Sequence, residues 1–192
     1  MGNTAPKLIL ASASPRRREI LTEGGIPHKV LPANVDESVF EGLEPRLMVQ
    51  LLAAAKAAEA AKGCAGLVLG ADTVVVLSGT VMGKPGDAEE AFSMLSALSG
   101  KTHSVYTGVA LLRTSDGKMK THLEETKVTF RALSADEIRA YIETGEPMDK
   151  AGAYGIQGKG GALVEKTEGD FLNVVGLPLA AVDRLIREMQ EE

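Results

Sequence analysis

Three consecutive arginines, Arg16, Arg17 and Arg18, follow Ser14 and Pro15 near the start of the chain. Serine is a favoured N-cap residue and proline a favoured first helical residue, so a helix should begin here. A helix N-terminus carries partial positive charge, and each arginine in the first turn is unfavourable by ~0.3–1 kcal/mol unless an anion compensates. Free backbone N–H groups and guanidinium groups both bind phosphate. The arrangement therefore predicts a phosphate site at this helix start.

Asp72 is the strongest single candidate for chemistry, because it interrupts the apolar run at residues 67–77. A carboxylate inside such a run loses its hydration unless it has partners. Gly70 leaves room for a backbone or a ligand to come close. The residues alone leave three interpretations open: a metal ligand, a general base that takes a proton from an attacking water, or a structural aspartate that caps a neighbouring turn.

Four more charged residues are candidates, each with an ordinary structural explanation beside it. Glu37 and Asp36 share a predicted polar loop, where Glu37 could complete a metal site with Asp72 or both acids could be solvated. Lys56 is the one charge among the alanines of a predicted helix, a pattern more typical of a solvated face. Lys84 lies in a predicted glycine–proline turn, where surface lysines are common.

These residue types together favour metal-assisted hydrolysis of a polyphosphate. Cations would hold the phosphates, a divalent ion would offset the developing charge, and a carboxylate would position water. A P-loop nucleotidase is excluded, because no Gly-x-x-x-x-Gly-Lys-Ser/Thr occurs. The spacing of His28, His103 and His122 is not that of metal ligands, so these are interpreted as core or surface residues. Ser12 and Ser14 have no histidine nearby in sequence, which favours hydroxyls that bind phosphate over a nucleophile.

The bulk composition restricts the class of protein. The chain has 192 residues, 44% of them hydrophobic, and a formal net charge of −5, which argues against a general nucleic-acid binder. Cys64 is the only cysteine, so neither an intramolecular disulfide nor a cysteine-built zinc site can form. We find neither a signal peptide nor a run of ~20 apolar residues that could span a membrane. We therefore expect a cytoplasmic protein that binds neither nucleic acid nor membrane.

Apolar periodicity and capping residues predict the elements that position these side chains. They indicate one α/β domain over residues 1–192, with a core from about 8 to 190. The predicted strands are 7–11, 28–31, 67–77, 104–113, 119–130 and 162–166. The predicted helices are 15–23, 45–62, 87–99, 134–144 and 177–189.

Three local predictions refine these elements. The helix at 45–62 is given an apolar face that contains Leu47, Leu51, Ala54 and Ala58. Capping boxes are expected at residues 87–90 and 134–137, where acids occupy the first turn as usual. Residues 146–161 are predicted to form a glycine-rich loop that could hold a ligand with backbone N–H groups.

Four motifs in chain order resemble those of the Maf family of nucleotide pyrophosphatases: Ser12-Ala-Ser-Pro-Arg-Arg17, Gly70-Ala-Asp-Thr73, Gly83-Lys-Pro85 and Asp149-Lys-Ala-Gly-Ala-Tyr-Gly-Ile-Gln-Gly158. The resemblance runs from about residue 8 to residue 185. It implies an elongated, twisted mixed sheet flanked by helices, similar to that of the inosine triphosphate pyrophosphatases. It also implies cleavage of a nucleoside triphosphate between the α and β phosphates, with a divalent cation, Mg²⁺ or Mn²⁺, and a homodimer.

The resemblance also implies a role for each matching residue. The implied catalytic residues are Asp72 as proton acceptor, with Arg17, Lys56 and Lys84. The implied substrate-binding residues are Ser12, Arg16, Thr73 and Gln157. Glu37 is implied to lie close to the metal, with Asp72 as a second ligand. Which of the two carboxylates is the base and which the metal ligand stays open.

Gln157 indicates the branch of the family. The Tyr-Gly-Ile-Gln-Gly form resembles the branch that acts on dTTP and UTP, and an amide can both donate to and accept from the carbonyl and N3–H edge of a pyrimidine. Modified pyrimidine nucleotides are a further expected substrate class. Two alternatives stay open: the 7-methyl-GTP branch, and a regulator of septum formation that binds nucleotide without hydrolysing it.

Overall fold

The computed structural model describes residues 8–191 as alternating strands and helices. The strands are β1 (Leu8–Leu10), β2 (His28–Val30), β3 (Leu67–Leu77), β4 (Thr80–Met82), β5 (Thr102–Arg113), β6 (Met119–Phe130) and β7 (Val164–Glu168). The helices are α1 (Pro15–Glu23), α2 (Pro45–Ala61), α3 (Ala88–Leu98), α4 (Ala135–Glu143), α5 (Phe171–Val175) and α6 (Leu179–Gln190). Short 3-10 turns occupy Glu37–Phe40, Glu146–Asp149, Ala151–Ala153 and Lys159–Leu163.

The strands form one mixed sheet, which confirms the predicted α/β class. Within residues 8–191 the sheet has seven strands in the order β2-β1-β3-β5-β6-β7, with β4 paired to β3. β1 lies parallel to both β2 and β3, with Ile9 opposite Lys29 on one side and opposite Val68 on the other. β4 and β7 pair antiparallel, with β3 and β6 respectively.

The chain divides into two compact units. Among the described residues, the first unit contains the chain up to Asp72, Thr107–Glu124 and the chain from Gly176 onward. The second unit contains Thr73–Tyr106 and Glu125–Val175. A single domain over residues 1–192 stays a prediction.

In the first unit, helix α2 packs on the sheet at unusually close range. A Cβ at Gly70 of β3 would lie 2.0 Å from Ala53 O, and one at Gly108 of β5 would lie 2.2 Å from Val49 O. These distances are far shorter than a van der Waals contact, so only glycine fits at either position. The α2 residues that face Gly70, Ala53 and Ala57, are accordingly small and buried.

The predicted apolar face of α2 is wrong for three of its four residues, and only Ala54 packs against the core. Leu47 and Leu51 are 47% and 39% exposed, Ala58 is also exposed, and the helix instead buries Val49, Leu52, Ala53, Ala57 and Ala60. Periodicity counts a leucine as a better core residue than an alanine. Here the glycines of the sheet bring the helix backbone so close that the small side chains face inward.

The core of the second unit contains an aromatic cluster of His103, Phe130 and Tyr154. Their rings meet edge to face, with centroids 4.8–5.4 Å apart. His103 Nε2 lies 2.8 Å from the Tyr154 hydroxyl, and His103 Nδ1 is buried with no hydrogen-bond partner. Burial lowers the pKa of His103 to about 4. His103 is therefore a neutral core residue, one of the two interpretations offered for the histidines.

Two elements were not predicted, and one cap differs from its prediction. β4 follows a tight turn at Ser78 and Gly79, both with positive φ, as two-residue hairpins require. β4 and α5 have only three and five residues, too few to show periodicity.

The predicted capping box at residues 134–137 is confirmed. At the α3 start Asp87 accepts from Glu90 N as predicted, but the Glu90 carboxylate accepts from Gly86 N rather than closing the box.

No helix among residues 8–191 is both long and apolar enough to cross a membrane.

Candidate active site

The start of α1 fixes Arg17 in place. Ser14 caps the helix and Pro15 is its first residue, as predicted, and the first turn holds no acid. The Arg17 side chain donates from Nε to Gly176 O at 2.9 Å and from Nη1 to Ser12 Oγ at 3.2 Å. Because two separate parts of the first unit accept from it, the guanidinium plane has one defined orientation.

The Ser12 hydroxyl accepts hydrogen bonds from groups at the start of α1. Its Oγ accepts from Ser14 N at 3.2 Å as well as from Arg17 Nη1. A hydroxyl has two acceptor positions and one hydrogen to donate. With both acceptor positions occupied by protein groups, the remaining hydrogen suits an anionic oxygen. This agrees with the interpretation of Ser12 as a phosphate ligand.

Lys56 joins the two candidate carboxylates. Its Nζ lies 2.7 Å from Asp72 Oδ1 and 2.7 Å from Glu37 Oε1. The side chains of Lys56 and Asp72 are 14% and 13% exposed, whereas that of Glu37 is 58% exposed. The expectation of a solvated lysine on the α2 surface is therefore wrong. The close approach of α2 to β3 places Lys56 beside a buried acid on the neighbouring strand.

Opposing forces act on the charge of Asp72. Burial raises the pKa of its carboxyl, and the Lys56 ammonium and the Arg17 guanidinium only partly offset this, with the Glu37 charge adding to the rise. The result is a carboxylate that holds a proton more tightly than an ordinary aspartate. Burial also lowers the pKa of Arg17, against the stabilising charge of Asp72. A raised carboxyl pKa suits a group that must accept a proton from water.

Glu37 and Asp36 have different positions on their loop. Asp36 caps the 3-10 turn Glu37–Phe40, where it accepts from Ser38 N at 3.1 Å and from Ser38 Oγ at 2.6 Å. The structural interpretation of Asp36 is thus the correct one. Glu37, the first residue of that turn, is held toward Lys56.

The donor set can be tested for a divalent cation. Among residues 8–191 there is no group of three or more His, Cys, Asp or Glu side chains that could hold a metal ion. The Lys56 ammonium is paired with both Glu37 and Asp72. Mg²⁺ commonly takes one or two protein carboxylates and completes its shell with water and substrate phosphates. The two carboxylates fit an ion that brings most of its ligands with the nucleotide.

The other three predicted site residues belong to the second unit. Thr73 is half-buried in β3, while Lys84 and Gln157 are exposed. Lys84 lies in the turn after β4, and the neighbouring Gly83 O accepts from Gly152 N at 3.0 Å. That bond ties the Lys84 turn to the 3-10 turn that precedes Gln157. The first unit thus brings Ser12, Arg16, Arg17, Glu37, Lys56 and Asp72 together, and the second unit connects the segments of Lys84 and Gln157.

Sequence reasoning missed the groups that hold these side chains. Gly176 supplies only a backbone carbonyl to Arg17, which no side-chain pattern can indicate. Glu146 and Tyr141 accept hydrogen bonds from the backbone N–H groups around Gln157. The glycine-rich loop at residues 146–161 contained a usable clue, because its many backbone N–H groups require acceptors and Glu146 is its first acid.

The chain resembles known proteins over nearly its whole length. The family described as Maf-like protein matches residues 7–189. A dTTP/UTP pyrophosphatase of Moorella thermoacetica is 54% identical over 181 residues, which cover 94% of this chain and 93% of the relative. A dTTP/UTP pyrophosphatase of Symbiobacterium thermophilum is 53% identical over 174 residues, 90% of this chain and 89% of the relative.

Solved structures of similar fold include a HAM1 protein. A HAM1 protein from Coxiella burnetii superposes with a TM-score of 0.51 at 16% sequence identity, covering 97% of this chain and 100% of that one. At this identity the similarity concerns the path of the backbone. It agrees with the mixed sheet and helices described above.

Proposed function

Because this chain belongs to the Maf family, we propose that it is a nucleoside triphosphate pyrophosphatase that hydrolyses dTTP and UTP to the monophosphate and pyrophosphate. Relatives about half identical to it bear that name. The observation that carries the proposal is the buried Asp72 held between Lys56 and Arg17, since a buried carboxylate among cations suits water attack on a polyphosphate. Modified pyrimidine nucleotides are the further substrates we propose.

The proposed mechanism begins with the phosphate ligands. The Ser12 hydroxyl hydrogen, Arg16 and Arg17 hold the oxygens of the triphosphate at the start of α1. Arg17 is preoriented by Gly176 O and Ser12, so it needs no reorganisation when the substrate binds. We propose Lys84 as a further catalytic residue, as the family resemblance implies.

Asp72 is the proposed base. It takes one proton from a water molecule, whose oxygen attacks the α-phosphorus. The bond from the α-phosphorus to the oxygen that bridges it to the β-phosphorus breaks, and pyrophosphate leaves with that oxygen. The Lys56 ammonium, bonded to Asp72 Oδ1, keeps this carboxylate in place while the proton arrives. Its raised pKa matches the demand that the group bind a proton during the reaction.

We propose a divalent cation, Mg²⁺ or Mn²⁺, as cofactor. Glu37 and Asp72 would hold it, with the remaining ligands from water and the nucleotide. When bound, the ion would neutralise charge that develops on the phosphate oxygens.

We propose that Thr73 and Gln157 determine which nucleobase the enzyme accepts. The exposed Gln157 side chain can donate to a pyrimidine carbonyl and accept from N3–H, a pattern shared by thymine and uracil.

The deciding experiment is product analysis on a panel of nucleoside triphosphates with Mg²⁺ or Mn²⁺. We expect pyrophosphate and monophosphate from dTTP and UTP, and turnover lower by ~10²-fold or more in Asp72→Asn. The matched control Asp136→Asn, which changes an exposed acid at the α4 start, should keep wild-type turnover. Turnover of 7-methyl-GTP instead would assign the other branch. Nucleotide binding without turnover would favour the regulator.

We propose further that the protein is a cytoplasmic homodimer. The stripe that supports an interface is Leu43, Leu47 and Leu51, spaced four residues apart and 36–47% exposed. Sedimentation of the wild type should give twice the mass of one chain, and Leu47→Glu with Leu51→Glu should give a monomer. A monomeric wild type would contradict the proposal.

A further inference from the structure

One carboxylate fixes the segment that carries Gln157, defined here as the Gln157 segment (residues 155–161). Glu146 Oε2 accepts a hydrogen bond from Lys159 N at 2.9 Å, and Glu146 Oε1 accepts one from Gly160 N at 3.0 Å. We propose that Glu146 and Tyr141 are positioning residues that hold Gln157 toward the nucleotide base and thereby set the preference for thymine and uracil. This inference rests on the function proposed above.

Tyr141 ties the other end of the segment to the same acid. Its hydroxyl donates to Glu146 Oε1 at 2.9 Å and accepts from Gly155 N at 3.1 Å. The Tyr141 ring is buried in the core of the second unit, so this hydroxyl has a fixed position. Both flanks of Gln157 are therefore bonded to one tyrosine–glutamate pair.

The packing around the pair leaves the segment little freedom. A Cβ added at Gly158 would lie 2.4 Å from Glu146 Oε2, so the carboxylate rests directly against the backbone beside Gln157. Lys150 Nζ donates to Glu146 O at 2.7 Å and to Asp149 Oδ1 at 2.6 Å, which holds Glu146 from its other side. The exposed Gln157 side chain thus projects from a backbone that is bonded on both sides.

The charge state of Glu146 suits this role. Partial burial raises the pKa of its carboxyl, but the hydrogen bonds from Gly160 N, Lys159 N and Tyr141 together bring the pKa below its ordinary value. The group is therefore an ionised acceptor at neutral pH, and hydrogen bonds to an ionised acceptor are the stronger kind.

A positioned amide discriminates between bases better than a mobile one. Hydrogen-bond readout depends on distance and angle, and a site built for one donor–acceptor pattern rejects the analogue that lacks it. Cytosine has the same pyrimidine ring as thymine but presents a different donor–acceptor pattern at that edge. Loosening the Gln157 segment should therefore reduce the preference for dTTP over dCTP while the reaction at Asp72 continues.

The test compares kcat and KM for dTTP and dCTP in the wild type, Tyr141→Phe and Glu146→Gln. We expect both variants to raise KM for dTTP, to leave kcat within about twofold, and to reduce the dTTP preference by about tenfold, since each loses one or two hydrogen bonds to the segment. Glu137→Gln is the matched control. It weakens the α4 cap and the ion pair with Arg131 and should lower the melting temperature without altering the preference.

A double variant separates positioning from general damage. In a Gln157→Ala background, Tyr141→Phe should cause no further loss of preference, because the group that it positions is gone. An equal fall in kcat for both nucleotides, or an unchanged preference in either folded variant, would overturn the inference. If Tyr141→Phe does not fold, Glu146→Gln gives the same comparison. A wild type that does not hydrolyse dTTP would refute the proposed function itself, whereas one that does so with insensitive variants would refute only the positioning role.

Discussion

At the scale of single residues, the buried carboxylate of Asp72 lowers the free energy of unfolding at neutral pH and also serves as the proposed base. Its pKa is raised in the folded chain, mainly by burial, so the folded state keeps the proton to higher pH than the unfolded state. As pH rises through the unfolded value of about 3.9 toward the folded value, the free energy of unfolding falls. We expect Asp72→Asn to remove this loss, so that urea denaturation at pH 7 finds the inactive variant at least as stable as the wild type. A clearly less stable variant would mean that the Lys56 pair outweighs burial.

The same group should govern the pH dependence of turnover. The base must be ionised before it can accept a proton, so kcat/KM for dTTP should increase with pH through a pKa above the ordinary aspartate value. The residual activity of Asp72→Asn should lack this acidic limb. An unchanged limb in the variant would assign it to another group.

Arg17 is a residue at which lysine cannot replace arginine. Its guanidinium donates in two directions, to Gly176 O and to Ser12 Oγ, and a single ammonium cannot reproduce both. We expect Arg17→Lys to lower kcat/KM by roughly 10- to 100-fold, since phosphate contacts depend on orientation. Arg18→Lys, at an exposed position of the same helix, is the control and should change kcat/KM little. Equal activity in both variants would show that Arg17 serves only as a charge.

At the scale of elements, the close packing of helix α2 on the sheet depends on the two glycines Gly70 and Gly108, which have no side chain. Gly70→Ala would place a Cβ 2.0 Å from Ala53 O, and the helix would have to move away from β3. Overpacking of this kind costs typically ~1–3 kcal/mol of unfolding free energy, and the shift should also weaken the contact of Lys56 with Asp72. We therefore expect lower stability and lower turnover together. Gly63→Ala is the control, because its nearest neighbours are 3.9 Å away.

The elements also mark where the sequence was informative and where it was not. The start of α1 at Pro15 follows from its capping residues, the bounds of β3 follow from its apolar run, and β6 follows from the Ser115-Asp116-Gly117 hairpin signal before it. The inward face of α2 does not, because Gly70 and Gly108 reach it from distant parts of the chain. For the same reason the alanine-rich pattern around Lys56 wrongly indicates a solvated lysine, whereas the family resemblance names it as a candidate. Short elements such as β4 have too few residues to show a hydrophobic periodicity.

At the scale of the whole molecule, His103 predicts how stability changes in acid. Its pKa is lowered from 6.5 to about 4 in the folded chain, because the buried ring disfavours a charge. The unfolded chain therefore binds a proton first, and the free energy of unfolding should fall as pH drops from 6.5 to 4, by about 3 kcal/mol in total. Urea denaturation at several pH values measures this slope. His103→Gln should reduce the dependence of the unfolding free energy on pH. His28→Gln, at a half-buried position outside the core, is the control and should leave that dependence unchanged.

The ion pairs of Lys56 have a consequence for the order in which ligands arrive. Glu37, Asp72, Lys56 and Arg17 carry two negative and two positive formal charges, and the neighbouring Arg16 adds a third positive charge. A divalent ion entering alone would have to compete with an ammonium already 2.7 Å from both acids. A triphosphate entering alone would be repelled by the two carboxylates that lie beside the positively charged side chains of the site. An ion and a nucleotide that enter as one complex bring positive charge to the carboxylates and negative charge to the arginines together, so we expect the nucleotide to carry the metal in.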